Sequence, residues 1–282
     1  MFIILLVIIE RNSPLSYPRW EAVKFNHFCE VEYAEGTEEI FVTIHSGSRN
    51  MGSKVADYFD DLAKELNKKW HSENSGIGFL PADSPQGQAY LGWMNFCLEF
   101  AYLNRKAMLD EVKKTFLHEF PNVKWTTKEI ADDVRDDILN IHHNWAVLET
   151  CMGKTGYVHR KGSTRAFKGM TGIIPGSMSS ATYIVAGKAN LLSLQSCSHG
   201  SGRRMGRMAF NRKMKYSYAQ IEKSLEGIVH SEFKKVDRGK DKDLLDVSEC
   251  GDAYKNVEEV MANQVDLVDP IIKLRPLICL KG

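Results

Sequence analysis

The chain has 282 residues, 43% of them hydrophobic and 26% charged, enough apolar material for a sizeable core and too much for a disordered tail or a fibrous repeat. Its six cysteines contain no C-x-x-C pair, make no disulfide framework and point to a reducing, cytoplasmic setting. The formal charge of +1 hides an uneven distribution: no Asp or Glu occurs between Glu149 and Glu222, a window with 12 Lys and Arg.

The apolar run Phe2 to Ile9 is too short to cross a bilayer and has neither a basic lead nor a small-residue cleavage site, so no membrane role is expected. It reads as a buried strand or as a start produced by an interrupted reading frame. Ser13 to Pro18 reads as a loop, and Phe28 to Tyr33 and Ile40 to Ile44 as strands joined by a turn at Glu35-Gly36. His27 and His45 then fall at strand ends. From Gly52, apolar residues at 55, 58, 59, 62 and 66 have helical spacing. Pro81 to Gly87 is turn-rich, and Gln88 to Phe120 reads as one long helix or two. Thr126-Thr-Lys-Glu129 has the form of a capping box and predicts a helix to about Asn140, with His142-His143-Asn144 after its last turn.

The acid-free window shows short apolar runs, Tyr157 to His159, Gly172 to Ile174, Ala181 to Val185 and Leu191 to Leu194, which read as strands between glycine-rich loops. Tyr218 to Leu225 and Val257 to Val265 are predicted helices, Lys234 to Lys242 a charged loop, and Ile271 to Leu280 a closing strand. Helices and strands without regular alternation favour an α+β fold over a doubly wound sheet.

A segment this rich in Lys, Arg and Gly is expected to meet a polyanion, with phosphate the natural candidate. Within it, Ser198-His199-Gly200-Ser201-Gly202-Arg203-Arg204 suits phosphate transfer. A neutral imidazole can attack phosphorus, glycine N–H groups can cradle the oxygens, and an arginine can balance the developing charge. Pro175-Gly-Ser-Met-Ser-Ser-Ala-Thr182 is a second small-residue loop, with four hydroxyls able to meet phosphate or ribose. Arg160-Lys-Gly-Ser-Thr-Arg165 is a third, basic loop. His27, His45 and His143 stand in polar settings and could share a first-row divalent ion, although each alone is more often a satisfied core or surface histidine.

Eight segments in order carry a further signal: Asn26-His-Phe-Cys-Glu30, His45-Ser-Gly-Ser-Arg49, His143-Asn144, Arg160-Lys-Gly-Ser-Thr-Arg-Ala166, Pro175-Gly-Ser-Met178, Ser198-His-Gly-Ser-Gly-Arg203, Ala253-Tyr-Lys-Asn-Val257 and Lys281-Gly282. Together they resemble the RtcB family of RNA-splicing ligases. The resemblance implies an RtcB-like α+β fold of mixed sheets with surrounding helices. It also implies a GTP- and Mn2+-dependent ligase joining RNA 3′-phosphate or 2′,3′-cyclic phosphate ends to 5′-hydroxyl ends. His199 matches the family's guanylylated histidine. Glu30, Tyr254 and Lys281 match its guanine contacts. Asn26, Asn144, Pro175, Gly176, Ser177, Met178, Thr182, Gly200, Ser201 and Gly202 match its other nucleotide contacts. His27, His45 and His143 match part of its two-manganese site, and Arg49, Arg160, Lys161, Arg165 and Arg203 are the candidates for RNA phosphate.

Three departures shape the expectation. The family's preceding region, whose D-x-x-C segment supplies an aspartate and a bridging cysteine to the metals, has no counterpart before His27. Phe25 stands where the family has glycine, and Thr182 replaces a serine. The resemblance thus divides the chain into an unmatched leader, residues 1–24, and an N-terminally truncated catalytic domain, residues 25–282. It is expected to act as a ligase if a separate chain supplies the absent portion. The alternative is an inactive or split fragment that binds RNA or guanine nucleotide, and a third reading is a metal-dependent phosphoesterase using His199.

Overall fold

The computed structural model describes residues 2–8, 27–69, 78–122, 124–125, 134–135, 138–214, 216–236 and 242–281. Strands β1 (Phe2–Ile8), β2 (Phe28–Ala34) and β3 (Glu39–His45) come first. Helices α1 (Arg49–Lys69) and α2 (Pro85–Glu119) follow. Next are the short strands β4 (Lys124–Trp125), β5 (Val134–Arg135) and β6 (Ile138–Ile141), then a hairpin of β7 (Asn144–Cys151) and β8 (Lys154–Lys161). Strands β9 (Ser163–Arg165), β10 (Thr171–Ile174), β11 (Thr182–Gly187) and β12 (Ser196–Ser198) precede helices α3 (Arg207–Met214) and α4 (Tyr218–Ser224). The chain continues through β13 (Val229–His230), α5 (Val257–Ala262) and the long β14 (Val268–Lys281).

The main sheet runs β10-β11-β14-β2-β3-β1-β6-β5 with antiparallel neighbours, so this is the expected α+β mixture of helix and strand. Strand β14 spans the middle, pairing with both β11 and β2. Its two register shifts fall beside Pro270 and Pro276, whose missing N–H groups break the ladder there. Alternation along β3 sends Val42 and Ile44 to the face covered by Leu109 and Val112 of α2. Phe41 faces the other way, into a cluster with Ile173, Ile184 and Leu274.

Helix α2 also fastens the segments that carry the histidines. Ser84 caps it by accepting from Gly87 N at 3.0 Å, and Pro85 occupies the start, where no N–H is needed. From its middle, buried Arg105 donates to the Ser46 carbonyl at 2.9 Å and to the Asn140 side chain, tying the ends of β3 and β6 together.

Several predicted elements are corrected. The helix expected to reach Asn140 is instead strand at Ile138–Ile141, because those residues pair with β1 and β5; its proposed cap, 126–129, lies outside the described residues. Leu191 to Leu194 is no strand: Leu191–Ser193 is a 3-10 turn capped by Asn190, with Leu192 91% exposed. Gln88 to Phe120 is one helix that begins earlier, at Pro85, and the last helix stops at Ala262. The 7-residue apolar start is a strand, paired in register with β3 from Phe2 opposite His45 to Ile8 opposite Glu39. Among the described residues no helix is long and apolar enough to cross a membrane.

Candidate active site

Strand pairing gathers the imidazoles. Phe28 lies opposite His45, which puts His27 beside the end of β3. His143 sits in the short connection between β6 and β7, and its Nε2 lies 3.1 Å from His45 Nε2. The His143 ring packs against the His199 ring with centroids 4.7 Å apart. Residues 27, 45, 143 and 199, distant in sequence, thus meet at one place.

Strands β9 and β12 pair with Ser163 opposite Ser198, which carries the Gly162 carbonyl to His199 Nδ1 at 2.6 Å. A carbonyl oxygen can only accept, so Nδ1 bears the hydrogen and Nε2 keeps its lone pair. Gly162 N donates in turn to the His143 carbonyl at 3.0 Å. Residue 162 has φ +73°, and a Cβ there would lie 3.4 Å from the His199 ring, so a side chain is doubly disfavoured. Burial, the largest cause, holds all four imidazoles toward the neutral form. It lowers His27 to about 4, with Arg49 adding, lowers His143 to about 2, takes His45 well below its usual value and depresses His199.

His199 lines a cavity of about 410 Å3 together with Pro175, Gly176, Ser177, Gly200, Ser201 and Gly202. The two small-residue loops interlock: Ser201 N donates to the Pro175 carbonyl at 2.9 Å and Ser201 Oγ to the Gly176 carbonyl at 3.1 Å. Across the cavity stand Phe28, Glu30, Tyr254 and Lys281. The Lys281 ammonium lies 5.5 Å from the Phe28 ring centre and 5.4 Å from that of Tyr254. Buried Glu30 accepts from Cys279 Sγ at 2.9 Å, and burial pushes its carboxyl up against the opposing pull of Lys281.

Sequence reasoning missed the hub of this wall. Glu249 accepts from Tyr254 Oη at 2.5 Å, from Arg203 Nη1 and Arg207 Nε at 3.1 Å each, and from Lys281 Nζ at 3.4 Å. Burial would raise its pKa, but Lys281, the Tyr254 hydroxyl and the arginines hold it below the usual carboxylate range. Nothing local marks Glu249 as a partner of Arg203; the β-bridge between Arg203 and Tyr254 brings them together.

Other candidates are placed elsewhere. Met178 in the loop and Thr182 at the start of β11, each 1% exposed, sit in the core and not on the cavity wall. Arg160 is buried, with its guanidinium on Glu149 at 2.9 and 2.7 Å, and Arg165 donates to the same carboxylate at 2.6 Å while lying over the Trp145 ring. Both guanidinium groups are therefore paired with a carboxylate from within, whereas Lys161 is exposed. Arg49 is exposed at the start of α1 and lines neither this cavity nor the larger one beside it, where Asn144 lies. Asn26 lies outside the described residues.

The cavity suits an anionic nucleotide: glycine loops on one side, cations and aromatic rings on the other, and Arg203 Nη2 buried without a hydrogen-bond partner among the described residues. The metal fit is partial. Two neutral imidazoles in opposite tautomers satisfy the 3.1 Å His45–His143 separation as one N–H···N bond. That spacing also matches two cis ligands on one first-row ion, with bonds of about 2.1 Å. Among the described residues, however, no three His, Cys, Asp or Glu side chains converge as a metal site.

This is an α+β protein whose partly buried His199 is held in one tautomer beside interlocked glycine and hydroxyl loops, an arrangement suited to an anionic phosphate. Among known families, the model described as tRNA-splicing ligase RtcB matches residues 25–282. This chain belongs to the RtcB family. It is 35% identical to RNA-splicing ligase RtcB1 and 34% identical to RNA-splicing ligase RtcB, both of Escherichia coli, each alignment covering 91% of this chain and 59% of the relative. It is 30% identical to tRNA-splicing ligase RtcB of Nanoarchaeum equitans, over 91% of this chain and 58% of that protein. The chain thus spans less than two thirds of the length of these relatives.

Proposed function

We propose that this chain carries the guanine-nucleotide and histidine half of an RNA ligase that joins 3′-phosphate or 2′,3′-cyclic phosphate ends to 5′-hydroxyl ends, dependent on GTP and Mn2+. The observation that carries this reading is the Gly162 carbonyl on His199 Nδ1, which leaves Nε2 as the free nucleophilic nitrogen of a residue lining the anion-suited cavity. When guanine nucleotide is bound, the chemistry expected is transfer of GMP to that nitrogen with loss of pyrophosphate, and then to the RNA 3′-phosphate.

Each residue has a role in this reading. Glu30, Tyr254 and Lys281 hold the base, Gly200 to Gly202 and Ser177 the phosphates and ribose, and Arg203 Nη2 offers an unused donor to developing charge. Asn26 and Asn144 belong to the same nucleotide set. His27, His45 and His143 would be the imidazoles offered to Mn2+, and no step is assigned through the metal because the described residues do not complete its site.

That incomplete set favours a second reading, a split or inactive fragment that binds guanine nucleotide or RNA and needs a separate chain for the remaining ligands. One experiment decides between them. The chain is incubated with α-labelled GTP and Mn2+, with and without the family's preceding region in trans. Acid-labile label lost in His199→Ala supports the ligase reading; label only with the added region supports the split form. No label in either condition, from a folded chain, rejects the ligase reading.

A further inference from the structure

Helix α2 buries Cys97, Ala101, Arg105, Leu109 and Val112 on one side, a spacing of three or four residues that calls for a polar opposite side. That opposite side is apolar instead. Trp93, Phe96, Phe100 and Leu103 stand on it at 50, 53, 41 and 52% exposure, and exposed Ala107 continues the series. Alternate steps of three and four residues give the 3.5-residue repeat of a helix that packs lengthwise on another helix, and Asp110 and Lys114 end it. An exposed apolar strip of this kind marks a protein contact. We propose that this face of α2 pairs antiparallel with the same face of a second copy, Phe100 of each chain packing on the partner's Leu103 about a two-fold axis. The inference goes beyond the ligase reading and does not depend on it.

Charge complementarity names the occupant. Glu99, exposed, and Lys106, half-exposed, stand seven residues apart on one flank of the strip, each directly before an apolar position. With Phe100 on the partner's Leu103, antiparallel packing sets Glu99 beside the partner's Lys106, and the two-fold axis repeats the contact from the other chain. One sequence thus supplies both halves of two ion pairs. Lys106 also lies 4.0 Å from Asp110 of its own chain, an exposed pair that the partner's carboxylate extends into a small network.

The same charges fix the register. Sliding the helices so that Phe96 meets the partner's Phe100 would keep the apolar strip covered, but it would set Glu99 against the partner's Glu99. That like-charge contact disfavours the alternative. In the proposed register the successive layers are Phe96 on the partner's Ala107, Phe100 on the partner's Leu103, and their two symmetry copies. Large side chains therefore meet smaller ones in every layer, as close packing requires.

The test is sedimentation equilibrium of the full chain across a concentration series. One helix per copy makes a small interface of the weak class, so the parent is expected to pass from one chain mass to twice that mass near about 10 μM. Phe100→Glu puts a carboxylate into the seam and is expected to weaken association about tenfold or more. Glu99→Lys and Lys106→Glu each set like charges together at two places, and each alone is expected to weaken it about tenfold. An equimolar mixture of those two variants restores opposite charges at both places and should recover parent-like association. The substituted side chains are at least partly exposed, so thermal melts should stay near the parent's. A parent that remains monomeric throughout, association untouched by Phe100→Glu, or charge variants that the mixture does not rescue would each overturn the proposal. So would a monomeric chain that uses this face, as judged by Phe100→Glu, to bind the family's preceding region supplied in trans.

Discussion

Glu149 of β7 and Arg160 of β8, which stand four register positions apart on the hairpin, are joined by two parallel hydrogen bonds of 2.9 and 2.7 Å, with Arg160 1% exposed. Glu149 is the last carboxylate before the acid-free window, and it neutralises the first arginine inside it. Sequence charge alone overstates the cationic surface available to a polyanion. Breaking a buried pair from one side leaves an uncompensated charge, at a cost of about 3 kcal/mol. Arg160→Ala is therefore expected to lose about that much stability in urea unfolding while the salt dependence of RNA binding keeps its slope. A reduced slope with unchanged stability would restore Arg160 as a phosphate contact.

Glu249 gathers Tyr254, Arg203, Arg207 and Lys281 on one carboxylate, and thereby holds the lysine between the Phe28 and Tyr254 rings. Glu249→Gln keeps the shape and removes the charge. The cavity becomes more positive, so attraction for a triphosphate is retained, but the groups proposed to read the base lose their fixed positions. Selectivity for GTP over ATP is expected to fall about tenfold, near 1.4 kcal/mol. Competition binding measures it, and unchanged selectivity would remove Glu249 from base recognition.

Glu32 is fully buried on β2, where its carboxylate accepts from Thr43 Oγ1 at 2.6 Å and burial pushes its pKa up to about 8, with neighbouring Glu30 adding. The folded chain thus holds this proton more tightly than the unfolded chain, whose carboxyl titrates near 4.5. The stability it contributes is complete below that value and is lost as pH rises toward about 8, at up to roughly 1.4 kcal/mol per pH unit. Glu32→Gln keeps an acceptor for Thr43 without the titration. Urea midpoints should show the variant gaining on the parent between pH 6 and 8.5; parallel pH profiles would show that Glu32 does not titrate in this range.

The strands carrying His27 and His45 were legible because Ile40, Val42 and Ile44 alternate with Phe41, Thr43 and His45, and the loops because Gly and Ser mark them. Element type failed where tertiary pairing overrode local preference, as at Ile138–Ile141, which is strand because β1 and β5 flank it. Resemblance supplied the site residues, but not how each is satisfied. The Gly162 carbonyl on His199, Arg105 fastening Ser46, and Glu249 between two arginines and a lysine are contacts between residues 32 to 59 positions apart, and no local pattern encodes them.

Two glycines flanking Ser201 separate loop strain from loop contact. Gly202 has φ +70°, a left-handed backbone that costs an L-residue about 1 to 2 kcal/mol, yet a Cβ there meets nothing within 4 Å. Gly202→Ala should lose about that much stability and bind GTP with modest change. Gly200 has no positive φ, but its Cβ would sit 3.1 Å from the Pro175 carbonyl, the oxygen that receives Ser201 N. Gly200→Ala should therefore cost little stability and push apart the two loops that interlock beside His199. Misplacing a nucleophile by about 1 Å can cost a hundredfold in rate, so the single-turnover rate of GMP attachment should fall far more in Gly200→Ala than in Gly202→Ala. Thermal melts run beside those assays make the contrast decisive: if the rate loss follows lost stability across the two variants, the loop contact has no separate role.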